Sequence, residues 1–222
     1  MSRRKLPVAL AGLVAVAALA LSGCTADDSL ADQYRAGSGK GYIAGDGSVT
    51  EIAADDRGES IEFEGTLEDG STVSSADYEG EVLVVNFWYA GCAPCRAEAP
   101  DLKTISEEFA GEGASFLGVN VRDQAASAIA FNESYSISYP SVMDVDDGAM
   151  QFAFSGNIPP NAVPTTLVLD TSGRVAARIL GQVNSPSILK TLIADAIAED
   201  GDRKSTRLNS SHSQQSRMPS SA

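Results

Sequence analysis

Hydrophobic residues follow three different patterns along this chain. Residues 6–21 form one apolar, Ala-rich run. Residues 25–58 are rich in Asp, Ala, Gly and Ser, and their apolar residues (Leu30, Tyr34, Tyr42, Ile43, Val49, Ile52) keep no sustained period. That pattern predicts a flexible linker with at most a short strand near its end. From residue 59 to residue 200 the pattern becomes regular, and this stretch is the expected folded domain.

Within the domain, residues 61–67 and 72–73 flank Glu68-Asp69-Gly70-Ser71, whose Asp-Gly step favours a hairpin turn. Residues 82–88 are apolar except for Asn86, as a central strand covered on both faces requires. Leu102, Ile105 and Phe109 recur at helical spacing through residues 93–109, and residues 116–121 form a second apolar run. A helix over 125–135, a short strand over 139–143 and a helix over 147–154 follow. Strands over 165–170 and 174–181 join through Asp170-Thr171-Ser172-Gly173, a turn signal. Last, Ile188, Leu189, Leu192, Ile193, Ala196 and Ile197 make an amphipathic helix over 185–199. Strands alternating with helices and then a closing hairpin predict an α/β architecture with a mixed sheet.

The two ends are read as address and scar. Arg3, Arg4 and Lys5 precede the apolar run, and Leu21-Ser22-Gly23-Cys24 follows it, the order of an export signal. About 16 apolar residues are too few for the roughly 20 that span a bilayer. The Leu-Ser-Gly-Cys ending resembles the lipobox of bacterial lipoproteins, which implies a signal peptide over 1–24 and lipid attachment at Cys24. Acyl chains there would hold the domain at the extracytoplasmic face of the cell membrane. At the other end, residues 201–222 are Ser-rich, lack aromatics and keep no period, so they are read as a disordered, non-native tail.

Charge and histidine content narrow the chemistry. The chain carries a formal net charge of −14, but residues 24–200 hold 9 basic and 29 acidic residues, a net of −20. Such a surface repels phosphate backbones, so no nucleic-acid partner is expected. The one histidine, His212, lies in the tail. Imidazole-based hydrolysis, zinc ligation and haem ligation therefore lack a needed part, and neither a metal nor a cofactor is expected. The acidic run Asp144-Val145-Asp146-Asp147 lacks the regular oxygen spacing of a calcium loop.

What remains is sulfur. Cys92-Ala93-Pro94-Cys95 stands directly after the 82–88 strand and opens the next helix. A disulfide can close across Ala93 and Pro94, and the helix N-terminus offers free N–H groups and a positive dipole end. Both favour a thiolate on Cys92 as the attacking sulfur. Cys95, about one turn deeper and expected to be less exposed, would resolve the intermediate. A purely structural bridge is the bland alternative, but a two-residue loop removes little chain entropy.

Phe87-Trp88, Cys92-Ala93-Pro94-Cys95-Arg96-Ala97-Glu98-Ala99-Pro100 and the later Val163-Pro164-Thr165 together resemble the thioredoxin superfamily, and within it the TlpA/ResA group of membrane-tethered thiol–disulfide oxidoreductases. The resemblance covers about residues 60–199. It implies a thioredoxin fold, with an N-terminal hairpin and a βα insertion. It also implies that Pro164 is a cis-proline facing the cysteines, with Val163 and Thr165 beside it at the substrate. Glu98, three residues after Cys95, would tune the thiols' proton affinity and accept the Cys95 proton. Pro100 is expected to kink the helix. Trp88 and Tyr89 are expected to pack.

Two positions depart from the family pattern. Gly91 stands where a tryptophan is common before the first cysteine. Asn86 stands where thioredoxin has a buried acid, and an amide cannot accept the proton, so that duty passes to Glu98. Because Ala93-Pro94 includes no histidine, the pair is expected to be a reductant. Its substrates would be disulfides of exported proteins, cytochrome c maturation included, with electrons from a membrane thiol donor. A disulfide-forming oxidase is the alternative in the same class. A peroxidase would need a T-x-x-C context, whereas Tyr89-Ala90-Gly91 precede Cys92. A non-catalytic binding lipoprotein on the same fold is the alternative from another class.

Overall fold

The computed structural model describes residues 42–44, 47–159 and 162–215. The signal-peptide and Cys24 expectations lie outside the described residues. The chain divides after Lys40, and every described residue belongs to the second unit.

The sheet is built around β5 (Val82–Trp88), whose seven residues are all buried. β6 (Ala114–Asn120) pairs with it in parallel and β8 (Thr165–Leu169) antiparallel. Adding β7 (Ser141–Met143) beyond β6, and β9 (Val175–Leu180) with β2 (Gly47–Glu51) and β1 (Tyr42–Ala44) beyond β8, gives the order β1-β2-β9-β8-β5-β6-β7. The expected mixed α/β sheet is thus present. A separate hairpin, β3 (Glu64–Thr66) with β4 (Thr72–Ser74), precedes a 3-10 turn at Ser75–Tyr78.

Side chains alternate across β5 with the period of two that a strand imposes. Val82 and Val84 enter one core with Leu102 and Ile105 of α1 (Ala93–Phe109) and Leu189 and Ile193 of α4 (Pro186–Gln215). Leu83, Val85 and Phe87 enter the other, with Phe63, Phe154 and Met150 of α3 (Ala149–Ala153). Trp88, at the end of the strand, packs on Phe131 of α2 (Ala125–Tyr135), with ring centroids 4.3 Å apart.

One expectation is exceeded and one needs correction. The short strand expected near the end of residues 25–58 is β2, and it belongs to the main sheet: it pairs with β9 from Ser48↔Leu180 to Glu51↔Ala177, and Val49 is buried in the first core. Besides Val49, Ile52 packs against the second core, and backbone pairing and a long-range ion pair hold the segment. The Arg57 guanidinium binds Asp170 at 3.0 Å and Glu199 at 2.7 Å. At the other end, the last helix continues to Gln215, through residues expected to be disordered. From Ser187 to Met218 the sequence contains no proline, and Arg, Lys, Leu and Gln are good helix formers. α1 likewise runs on to Phe109 with Pro100 inside it.

Candidate active site

After Trp88 the chain turns through Tyr89-Ala90-Gly91 and enters α1 at Cys92, the residue capping its N-terminus. Pro94 sits in the first turn, where a missing N–H removes no helical hydrogen bond. The loop is fastened on three sides. Asp123 accepts the Ala90 N–H at 2.6 Å, Arg96 donates to the Ala90 carbonyl at 3.0 Å, and the Arg122 guanidinium lies 4.3 Å from the Tyr89 ring centre.

Cys92 and Cys95 are joined by a disulfide, with Cα atoms 5.2 Å apart. The Cys95 N–H donates to the Cys92 sulfur at 3.1 Å. Sequence reasoning placed Cys95 deeper than Cys92, but the two are equally covered, 3% exposed at Cys92 and 2% at Cys95. The bridge draws both sulfurs into an apolar cluster with Trp88, Ala99, Ala128 and Phe131, while Ala93 and Pro94 stay exposed. The asymmetry between the sulfurs is therefore electrostatic. Cys92 caps the helix, and its sulfur receives an N–H as well as the positive end of the helix dipole.

Glu98 is 1% exposed. One oxygen accepts from the Asn86 amide at 3.0 Å and the other from the Val183 N–H at 2.8 Å. Burial pushes its pKa up, the Val183 and Asn86 hydrogen bonds pull it down, and the Asp101 charge adds to the rise, leaving it at about 7. The Asn86 amide also donates to Thr166 Oγ1 at 3.1 Å. Asn86, noted as a departure from the family pattern, is thus a hydrogen-bond donor to the carboxylate.

The Val163–Pro164 peptide bond is cis. Val163 packs against the cysteine cluster, and Thr165, fully buried, donates through its hydroxyl to the Ala162 carbonyl at 2.7 Å. The structure thus brings Cys92, Cys95 and Val163 into one cluster, while Glu98, on the helix that Cys92 caps, is bonded to Asn86 and Val183. The sequence reading passed over Asp123, Val183, Asn132 and Ser141. The Val183 contact spans 85 residues, and no local pattern announces it.

The pattern of the AhpC/TSA family matches residues 58–178. ResA, a thiol-disulfide oxidoreductase of Geobacillus kaustophilus, is 30% identical over 117 residues, covering 53% of this chain and 64% of that protein. The chain spans just under two thirds of the length of the curated relatives it matches first. Among solved structures, a secreted thiol-disulfide isomerase from Corynebacterium glutamicum is 32% identical, with a TM-score of 0.61 over 71% of this chain and 99% of that one. A DsbF homologue from Corynebacterium diphtheriae is 34% identical, with a TM-score of 0.59 over 66% of this chain and 92% of that one.

Proposed function

Because this chain belongs to the AhpC/TSA family and, within the thioredoxin superfamily, to its ResA-like thiol–disulfide oxidoreductases, we propose that it is an extracytoplasmic, membrane-tethered reductant of disulfides in exported proteins. Cytochrome c maturation is the pathway we assign it to. The observation that carries the reading is the Cys92–Cys95 bridge at a helix N-terminus, with an N–H on the Cys92 sulfur.

In the reducing direction the Cys92 thiolate attacks a partner disulfide, forming a mixed disulfide and releasing one partner thiolate. Cys95 gives its proton to Glu98 and attacks the Cys92 sulfur. The Cys92–Cys95 bond forms as the bond to the partner breaks, and the second partner sulfur leaves as a thiolate. A Glu98 pKa of about 7 suits a group that must take a proton at neutral pH and later return it. Val163, next to Pro164 and Thr165, supplies backbone groups to an extended partner segment, and Ala93 and Pro94 form the exposed redox loop. A membrane thiol donor restores the reduced pair. No cofactor takes part.

Tethering rests on the sequence at Cys24. Among the described residues no helix is long and apolar enough to cross a membrane. Cys24→Ala should release the protein from membranes, whereas continued retention would point to an uncleaved N-terminal segment.

The second reading is a disulfide-forming or isomerising enzyme. The name of the C. glutamicum neighbour and the N–H stabilising a Cys92 thiolate favour it. Equilibration of the Cys24→Ala protein with glutathione decides between them. A potential near or below about −250 mV supports a reductant, and one near about −120 mV an oxidant. A pair that no dithiol opens would leave only a binding protein.

A further inference from the structure

Behind Cys95 lies a cavity of about 10 Å³, about the room one water needs. Cys95, Trp88, Asn86, Asn132, Tyr139 and Ser141 line it. Among the described residues three buried side-chain atoms make no hydrogen bond within the protein, and two of them, Asn132 Oδ1 and Ser141 Oγ, belong to residues of this wall. Ser141 is fully buried. Buried polar atoms are seldom left without a partner, and two that share a cavity of one-water size call for the same partner.

Both residues are held from outside by a single carboxylate. Glu68, in the β3–β4 hairpin turn, accepts the Asn132 amide on Oε1 at 3.2 Å and the Ser141 N–H on Oε2 at 2.7 Å. Because the carboxylate needs a donor, the NH2 group of Asn132 must face Glu68, which leaves its oxygen free. Gly118 keeps the space open. A Cβ there would come within 2.3 Å of Ser141 Oγ and 2.9 Å of Trp88 Nε1.

We propose that this cavity binds one water that hydrogen-bonds the Cys95 sulfur, with Ser141 and Asn132 holding it and Glu68 acting as the positioning residue for both. The inference rests on the oxidoreductase reading above. The water accepts the Ser141 hydroxyl hydrogen and donates one hydrogen to Asn132 Oδ1 and one to the Cys95 sulfur. Against a bridged sulfur the last bond is weak. Against a thiolate it meets a full charge, so the water favours the state of Cys95 that attacks. It is neither consumed nor used to carry the proton, which passes from Cys95 to Glu98. The resolving step is then the one described above, with the electron pair leaving on the partner's sulfur. The ionisable groups around Cys95 are Cys92 and Glu98 on its own helix, Asp101 beyond Glu98, Tyr139 across the cavity, and Glu68 behind Asn132 and Ser141. Burial and then the Glu98 charge hold the Tyr139 phenol well above its ordinary range, so it stays neutral as Cys95 titrates.

The test uses the reduced full chain with Cys24→Ala and a symmetrical aromatic disulfide that releases a coloured thiolate at each step. The first release reports Cys92 attack and the second reports Cys95 resolution. In Ser141→Ala the second release should slow about tenfold at pH 7 and its pH midpoint should rise by about one unit, the worth of one hydrogen bond to a charged group. The first release should keep its rate. Glu68→Gln should shift the second release the same way by about threefold; it serves as the test if Ser141→Ala does not fold. A second release with unchanged rate and midpoint overturns the water site, as does an equal slowing of both releases. A wild-type protein that gives neither release overturns the oxidoreductase reading, and this inference with it.

Discussion

Glu98 and Asp170 are both 1% exposed, and they lie at opposite ends of β8. Asp170 directly follows the strand, and Glu98 is linked through Asn86 to Thr166 near its start. Their surroundings differ in one respect. Asp170 receives the Arg57 and Arg174 guanidinium groups and the Ser172 and Arg174 N–H groups. Among the described residues Glu98 receives two neutral donors and no cation. Burial works against the charged form of Asp170, yet its hydrogen bonds hold the pKa below the usual carboxylate range. At Glu98 burial prevails, and the group sits at about 7. The same degree of burial thus yields a fixed charge that ties three segments of chain together at Asp170, and at Glu98 a carboxyl whose proton exchanges near neutral pH.

The two carboxylates should respond differently to substitution and to pH. Asp170→Asn should cost about 3–5 kcal/mol in urea unfolding, because it strips a buried charge from two arginines. The Cys92/Cys95 potential should stay where it was. Next, the pH dependence of stability should show the two carboxylates with opposite sign. The folded pKa of Glu98 lies above its ordinary 4.5, so the folded state binds the proton more tightly. The associated stability is complete below about pH 4.5 and falls by about 3 kcal/mol as pH rises through 7. The folded pKa of Asp170 is depressed, so its contribution is present above its unfolded value and is lost as pH falls. Urea titrations across pH should show the neutral-side slope in the wild type and not in Glu98→Gln.

Glu98→Gln should also slow resolution by Cys95 about 100-fold near neutral pH, without loss of stability at pH 8. An unchanged pH profile of exchange would remove Glu98 from the mechanism. The smallest expected change is at Arg57→Met. Arg174 still faces Asp170 there, so the loss should be about 2 kcal/mol, read by the same unfolding assay.

What the sequence disclosed follows from the range of the forces involved. Side-chain periodicity is local, so the buried run of β5 and the Leu102-Ile105 face of α1 were legible, and with them the α/β class. Cys92 and Cys95 stood out by residue type and spacing, and Pro164 through the family resemblance that they anchor. A short strand near the end of residues 25–58 was legible, but its membership of the main sheet was not, because that depends on pairing with β9 and on an Arg57–Asp170 contact 113 residues apart. The equal burial of Cys92 and Cys95 was missed for a related reason: the walls that cover them come from α2 and from the loop at Val163. Asn86 was visible as an anomaly, but its use as a donor to Glu98 required the two elements to be packed together.

The central claim is that the two sulfurs have unequal roles, with Cys92 attacking and Cys95 resolving, although both are equally buried in the bridged form. The most direct measurement is trapping of a partner disulfide by the two single variants, followed by mass spectrometry. Cys95→Ser should accumulate a mixed disulfide on Cys92, and Cys92→Ser should accumulate little. Equal trapping by the two variants, or none by either, would contradict the account.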